Sequence, residues 1–128
     1  MTQGAFPTLA RTYVAIDLET TGLQPEADEI IEVGAVRFNE DGILGTFDQL
    51  LSPGRKLSQF ISLLTGIKDS DLEDAPPFDE IAADLREFIS DHAIVGQNVT
   101  FDLAFLAAKG IRPSGTVFDT RTLSRTLR

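Results

Sequence analysis

Three carboxylates stand where they could do chemistry on a cation. The first two fall in Tyr13-Val14-Ala15-Ile16-Asp17-Leu18-Glu19-Thr20-Thr21-Gly22, an apolar, β-prone run that closes in a glycine turn. Positions i and i+2 of a strand project from one face, which sets Asp17 and Glu19 side by side at its C-terminal edge. Adjacent carboxylates raise each other's pKa unless a cation neutralises them, and hard oxygen ligands of this kind favour Mg²⁺ or Mn²⁺. The third is Asp102, in Ala93-Ile94-Val95-Gly96-Gln97-Asn98-Val99-Thr100-Phe101-Asp102, where a short apolar strand runs into a helix whose first turn carries the acid. Singly, these pieces are ordinary. An isolated Asp-x-Glu is usually surface charge, and Asn-x-x-x-Asp is usually a capped helix with an acidic first turn. Ligands of open α/β folds bind beyond the carboxyl ends of the strands, so acids ending two apolar strands point to a site.

The elements that must hold these acids can be read from the pattern. Strands are expected over 12–18 and 30–38, and Asn39-Glu40-Asp41-Gly42 supplies turn residues before a third strand over 43–51. The period then changes. Phe60, Ile61 and Leu64 suggest a short helix stopped near Gly66, and Ala75-Pro76-Pro77 is a rigid elbow. Phe78, Ile81, Ala82, Leu85, Phe88 and Ile89 recur at helical spacing with charge on the opposite side, a strongly amphipathic helix. Residues 93–96 form a continuous apolar segment, as expected of a buried strand parallel to the first after a crossover helix. Asn98 is a favoured N-cap for the next helix, which Gly110 and Pro113 stop. Residues 116–118 make a last short strand, and Asp119 caps a helix with Leu123 and Leu127 on one face. The order predicts an α/β fold: a mixed five-stranded sheet, an antiparallel three-strand meander plus two parallel strands, flanked by helices.

At 128 residues and a net charge of −9 the chain is one domain or part of one, and its acidity argues against broad electrostatic attachment to nucleic acid or to an anionic membrane. A nuclease that grips phosphate through metal needs no basic face, so that class stays open. Lys109, Arg112, Arg121, Arg125 and Arg128 leave the C-terminal end basic, and the last three recur along one helix side, read as a solvated face. There is no cysteine for a disulfide or thiolate site, and no apolar stretch approaches spanning length; a cytoplasmic location without membrane contact is expected. Residues 1–11 read as a loose leader.

These residues resemble a known family. Val14-Ala15-Ile16-Asp17-Leu18-Glu19-Thr20-Thr21-Gly22 is similar to the first motif of the DnaQ-like exonucleases, the DEDD group within the ribonuclease-H-like fold. Asp28-Glu29-Ile30-Ile31-Glu32-Val33-Gly34-Ala35 resembles the family's second strand and Leu64-Thr65-Gly66-Ile67 its Thr-Gly-Ile turn. Gly96 to Asp102 resembles its second motif, and Phe118-Asp119-Thr120 the Asp-Thr step that usually follows. The likeness runs from Tyr13 onward and is nearest to proofreading-subunit domains and to those fused to DinG-type helicases.

The resemblance implies 3′→5′ hydrolysis of phosphodiester bonds in DNA, or RNA, with two divalent ions, Mg²⁺ or Mn²⁺. Asp17 would bridge both ions, while Glu19 and Asp102 would each help hold one. Thr20, Thr21 and Gly22 would lie near the terminal nucleotide, Leu23 would wedge against its base, and Asn98 would fix the geometry under Asp102. Phe101 reads as core. The implied partners are a nucleic-acid 3′ end, single-stranded DNA foremost, and a parent polymerase or helicase polypeptide. The family's third motif, a His or Tyr followed by a last Asp on a helix well beyond Asp119, is not within these 128 residues. Residues 12–128 are therefore expected to be an exonuclease domain lacking its C-terminal third, weakly active or inactive and self-associating through the uncovered face. The alternative is a non-catalytic nucleotide- or protein-binding domain that keeps the fold. A receiver-type phosphotransfer domain is contradicted by the opening meander.

Overall fold

A computed structural model describes residues 11–121. The leader over 1–10 and the helix positions of Leu123, Arg125, Leu127 and Arg128 lie outside the described residues. Strand β1, Tyr13–Thr20, pairs antiparallel with β2, Ile30–Asn39, which pairs antiparallel with β3, Gly42–Leu50. Strand β4, Ala93–Gly96, runs parallel to β1, and β5, Val117–Asp119, parallel to β4. The order is β3-β2-β1-β4-β5, so the strand bearing the first two acids is the central one. This is the expected mixed sheet.

Alternation along β1 divides the sheet into two faces. Val14, Ile16 and Leu18 are buried, whereas Asp17 is exposed and Glu19 half-buried on the other side. Helices α2, Phe78–Ile89, and α3, Val99–Ala108, pack on the apolar face. In α2 the predicted stripe is buried as Phe78, Ile81, Leu85 and Ile89, with Asp79 and Glu80 in the first turn, where they favour the helix dipole. Such side chains contribute about 1.5–3 kcal/mol each when fully buried. In α3, Val99, Phe105 and Leu106 join the same core, and Gly110 at φ 85° ends the helix where expected.

Gly96 sets how closely these layers approach. A Cβ there would lie 3.0 Å from the Val99 side chain and 3.2 Å from the Ile16 carbonyl oxygen, so the residue lets α3 start directly against β1. Helix α1, Gln59–Thr65, is capped by Ser58, whose hydroxyl accepts from the Ile61 amide at 3.1 Å, and it stops at Gly66 with φ 78°. Ile61 is buried there with Ile31, Leu57, Ile67 and Leu72 in a second, smaller cluster. The short helix expected from Phe60, Ile61 and Leu64 is thus present, but Phe60 and Leu64 are exposed.

Candidate active site

Strand β1 continues two residues beyond the expected end at Leu18, because Thr20 pairs with Ile30 after a register shift between Glu19 and Thr20. Glu19 therefore sits within the ladder opposite Glu32, not at a frayed edge. Asp102, one turn into α3, is 5% exposed. Burial first, then the charges of Asp17 and Glu19, push its carboxyl up to about 7. Glu19 is raised too, by burial and then by Asp17. The three acids singled out in the sequence are thus near enough for Asp17 and Glu19 to raise Asp102 and for Asp17 to raise Glu19. As they stand, no three acidic or histidine side chains among the described residues are gathered at metal-ligating spacing.

Two further acids join them from the meander. Glu32 is raised by burial, by Asp48 and then by Glu19. Asp48 pairs in register with Gly34, which pairs with Asp17, so these carboxylates share the open face of the sheet. Their signal in the sequence was available only through register, since a one-residue slip would turn both to the other face. A cavity of about 620 Å³ on this face is lined by Ala15, Asp17, Val36, Asp48, Val95 and Gln97, among others. An all-oxygen, multiply anionic set of side chains has the chemistry that suits a hard divalent cation, which would relieve the repulsion that helps raise Glu19, Glu32 and Asp102.

The glycine turn after β1 is tied down by its own polar groups. Thr20 is buried and its hydroxyl donates to the Gly22 carbonyl at 2.7 Å. The Thr21 hydroxyl donates to Asp28 at 3.1 Å and accepts from the Glu29 amide at 2.9 Å. Arg55 donates to the Ala27 carbonyl at 2.8 Å and pairs with Asp28 at 3.8 Å. A Cβ at Gly22 would collide with the Asp28 carboxylate, which would have to shift and give up its contacts in the loop. Both threonine hydroxyls are thus committed within the loop, and what the loop offers outward is backbone and Leu23.

Beside Glu19 lies an apolar groove of about 510 Å³. Leu23, Phe60 and Leu64 stand at its rim, about 70% exposed or more, with Leu18 and Ile61 beneath and Phe101 at one wall. Phe101 packs on Phe105 at 5.0 Å between ring centroids but also borders the groove, so its reading as plain core is incomplete. Phe60 was not singled out for the site. The signal that could have found it is its position four residues before Leu64 on a short helix that buries only Ile61.

Asn98 stands at the N-cap of α3, as predicted, but in the left-handed conformation at φ 55° and ψ 43°, and its side chain caps nothing. The cap comes from β5. One Asp119 oxygen accepts from the Asn98 amide and the other from the Val99 amide, both at 3.2 Å, and the first also accepts from the Arg121 amide at 2.9 Å. Burial raises the Asp119 pKa, but these three backbone donors and the Arg121 charge outweigh it and hold the group below its usual value. Arg121 in turn donates to the Asn98 side-chain oxygen at 3.1 Å.

Comparison with known proteins completes the description. Residues 14–126 match the family model of the RNase T exonucleases. DNA polymerase III of the PolC type from Caldanaerobacter subterraneus subsp. tengcongensis is 40% identical over 119 residues, which is 90% of this chain and 8% of that protein. The PolC-type polymerase of Staphylococcus haemolyticus is 40% identical over 121 residues, 91% of this chain and again 8% of the relative. The chain therefore spans under a tenth of the length of these curated relatives. Among solved structures, Escherichia coli exonuclease I in complex with a dT13 oligonucleotide superposes with a TM-score of 0.77 at 19% identity, over 91% of this chain and 29% of that one. Exonuclease X in complex with 5′ overhanging duplex DNA gives a TM-score of 0.72 at 24% identity, over 90% and 63%.

Proposed function

The chain belongs to the RNase T family of exonucleases, DnaQ-like nucleases of the DEDD group with a ribonuclease-H-like fold, and from that premise we propose that it removes nucleotides from the 3′ end of single-stranded DNA. The observation that carries this reading is Asp102, pushed towards its protonated form by burial and then by Asp17 and Glu19, with Glu19 itself lining a groove of apolar rim residues. Asp17, Glu19 and Asp102 would hold two divalent ions, Mg²⁺ or Mn²⁺. When bound, such ions supply an activated water and electrostatic stabilisation of the leaving 3′ oxygen.

The protein's own groups do the rest. Leu23, Leu64 and Phe101 accept the terminal nucleoside, the backbone of the Thr20-Thr21-Gly22 turn fixes its sugar end, and Asn98 lies at the start of the helix that presents Asp102. In this reading the segment proofreads within a PolC-like polymerase polypeptide in the cytoplasm, which the 40% identity to such polymerases favours over a helicase parent. No helix among the described residues is long and apolar enough to cross a membrane. Asp17, Glu19 and Asp102 are three of the four acids the resemblance calls for, and the open sheet face is the surface through which the chain would associate with itself.

The test is degradation of a 5′-labelled single strand with Mn²⁺ by the protein carrying this segment at its native length, beside the 128 residues alone. Shortening from the 3′ end that Asp17→Ala abolishes is expected of the first, and a rate lower by about a hundredfold or more of the second. Degradation from the 5′ end, or an Asp17→Ala protein as active as wild type, overturns the reading.

A further inference from the structure

The geometry points to Asp119 as a positioning residue for Asp102, acting with Arg121 through the backbone of Asn98 and Val99. The inference rests on the metal-holding role proposed for Asp102. Helix α3 must begin in a definite orientation if its first turn is to aim a carboxylate at β1, and nothing local secures that start. The residue at its N-cap is turned away in the left-handed conformation, an uncommon state for a non-glycine residue, and makes no side-chain cap. The cap is supplied instead from a different strand, 20 residues further on.

The arrangement has three parts that support one another. Strand β5 pairs with β4 so that Asp119 stands opposite Gly96, which places its carboxylate beneath the β4-to-α3 turn. Its two oxygens then take the Asn98 and Val99 amides, one each, at 3.2 Å. Arg121 closes the ring: its amide donates to Asp119 at 2.9 Å, and its guanidinium donates to the Asn98 side chain at 3.1 Å, which holds Asn98 in its uncommon conformation. Gly96 removes the slack on the other side, since any Cβ there would push Val99 and the Ile16 carbonyl apart. The first turn of α3 is thus fixed from β1 below and β5 beside it, and Asp102 is the side chain on that turn which meets the other acids. An ordinary local cap would stabilise the helix equally well; a cap from β5 also ties its direction to the sheet.

Groups that orient a metal ligand typically change metal affinity by about 10- to 100-fold when removed. The test is calorimetric titration of Mn²⁺ into the 128-residue chain as wild type, Asp119→Ala, Asp119→Asn and Arg121→Ala, with thermal unfolding of each in a chelator. Expected are about tenfold weaker binding for Asp119→Ala and partial rescue by Asp119→Asn, which keeps one acceptor. Arg121→Ala should weaken binding by about threefold, on the order of half the Asp119→Ala loss in free energy. Asp119→Ala that melts lower but binds Mn²⁺ like wild type overturns the inference and leaves a plain structural cap. Should Asp119→Ala not fold, wild-type affinity in both Asp119→Asn and Arg121→Ala overturns it equally. Wild-type protein that binds no Mn²⁺ sinks the metal reading itself, and the inference with it.

Discussion

Asp102→Asn should make this protein more stable, and the gain should depend on pH. In the fold the Asp102 carboxyl is raised from 3.8 to about 7, by burial first and then by Asp17 and Glu19. The sign follows from linkage. Below about pH 4 the group is protonated in both folded and unfolded states, and its ionisation costs nothing. Between about pH 4 and pH 7 the unfolded chain has released the proton while the folded chain keeps it, so stability falls as pH rises; above about pH 7 the full penalty is present. At about 1.4 kcal/mol per pH unit the shift sets a ceiling of roughly 4 kcal/mol. Asp17, one source of the shift, is exposed, so solvent screening leaves about half of that ceiling, roughly 2 kcal/mol. Asparagine keeps the shape of the protonated acid without the charge. In chelator at pH 8, Asp102→Asn should therefore melt about 6–10 °C above wild type, with the difference closing towards pH 4. Added Mn²⁺ should stabilise wild type and leave the variant unmoved. A variant no more stable than wild type at pH 8 would refute the reasoning, since Asp102 would then be relieved by some contact other than a cation.

Three further outcomes are expected. Phe60→Ala should weaken binding of a short single strand by about tenfold, because stacking of a base on an aromatic ring contributes about 1–3 kcal/mol, while Leu63→Ala on the same helix but outside the groove should not; fluorescence anisotropy of a labelled oligonucleotide separates them. Gly22→Ala should destabilise the fold by about 1–3 kcal/mol in urea denaturation, since the new methyl must displace the Asp28 carboxylate and with it the Thr21 and Gln24 contacts. The open face lined by Ala15, Val36 and Val95 should drive concentration-dependent self-association of the 128 residues, read by sedimentation velocity; a monomer at all concentrations that also binds no apolar dye would count against it.

Much of the fold was legible because the sequence repeats at the periods of its elements. The α2 stripe, the apolar run of β4 and the stops at Gly66 and Gly110 all fall where pattern alone puts them, and so do Asp17, Glu19 and Asp102. The misses share a physical cause. Phe60 and Leu64 marked the helix correctly but not their place at the groove, because hydrophobic spacing records which side chains share a helix face and says nothing of whether protein covers that face. Glu32 and Asp48 carried no local pattern, because their place beside Asp17 depends on register across two strand pairs.

The cap of α3 shows the same limit in its sharpest form. Asn at a helix start is a sound prediction from local chemistry, and Asn98 does stand there. Its side chain is taken by Arg121, however, and the amides it would have served are taken by Asp119. Asp119 was legible as a cap for the helix that follows it, and its contact with the Arg121 amide is in keeping with that. A carboxylate with two oxygens can serve two helix starts at once, and only parallel pairing of β4 with β5 brings the earlier start within reach. Local propensity therefore marked the right residues and assigned one of them half of its work. The same economy would hold at the acids: burial and then the charges of Asp17 and Glu19 make Asp102 costly to ionise in the folded protein, and a divalent cation held there as proposed would relieve the charge part of that cost.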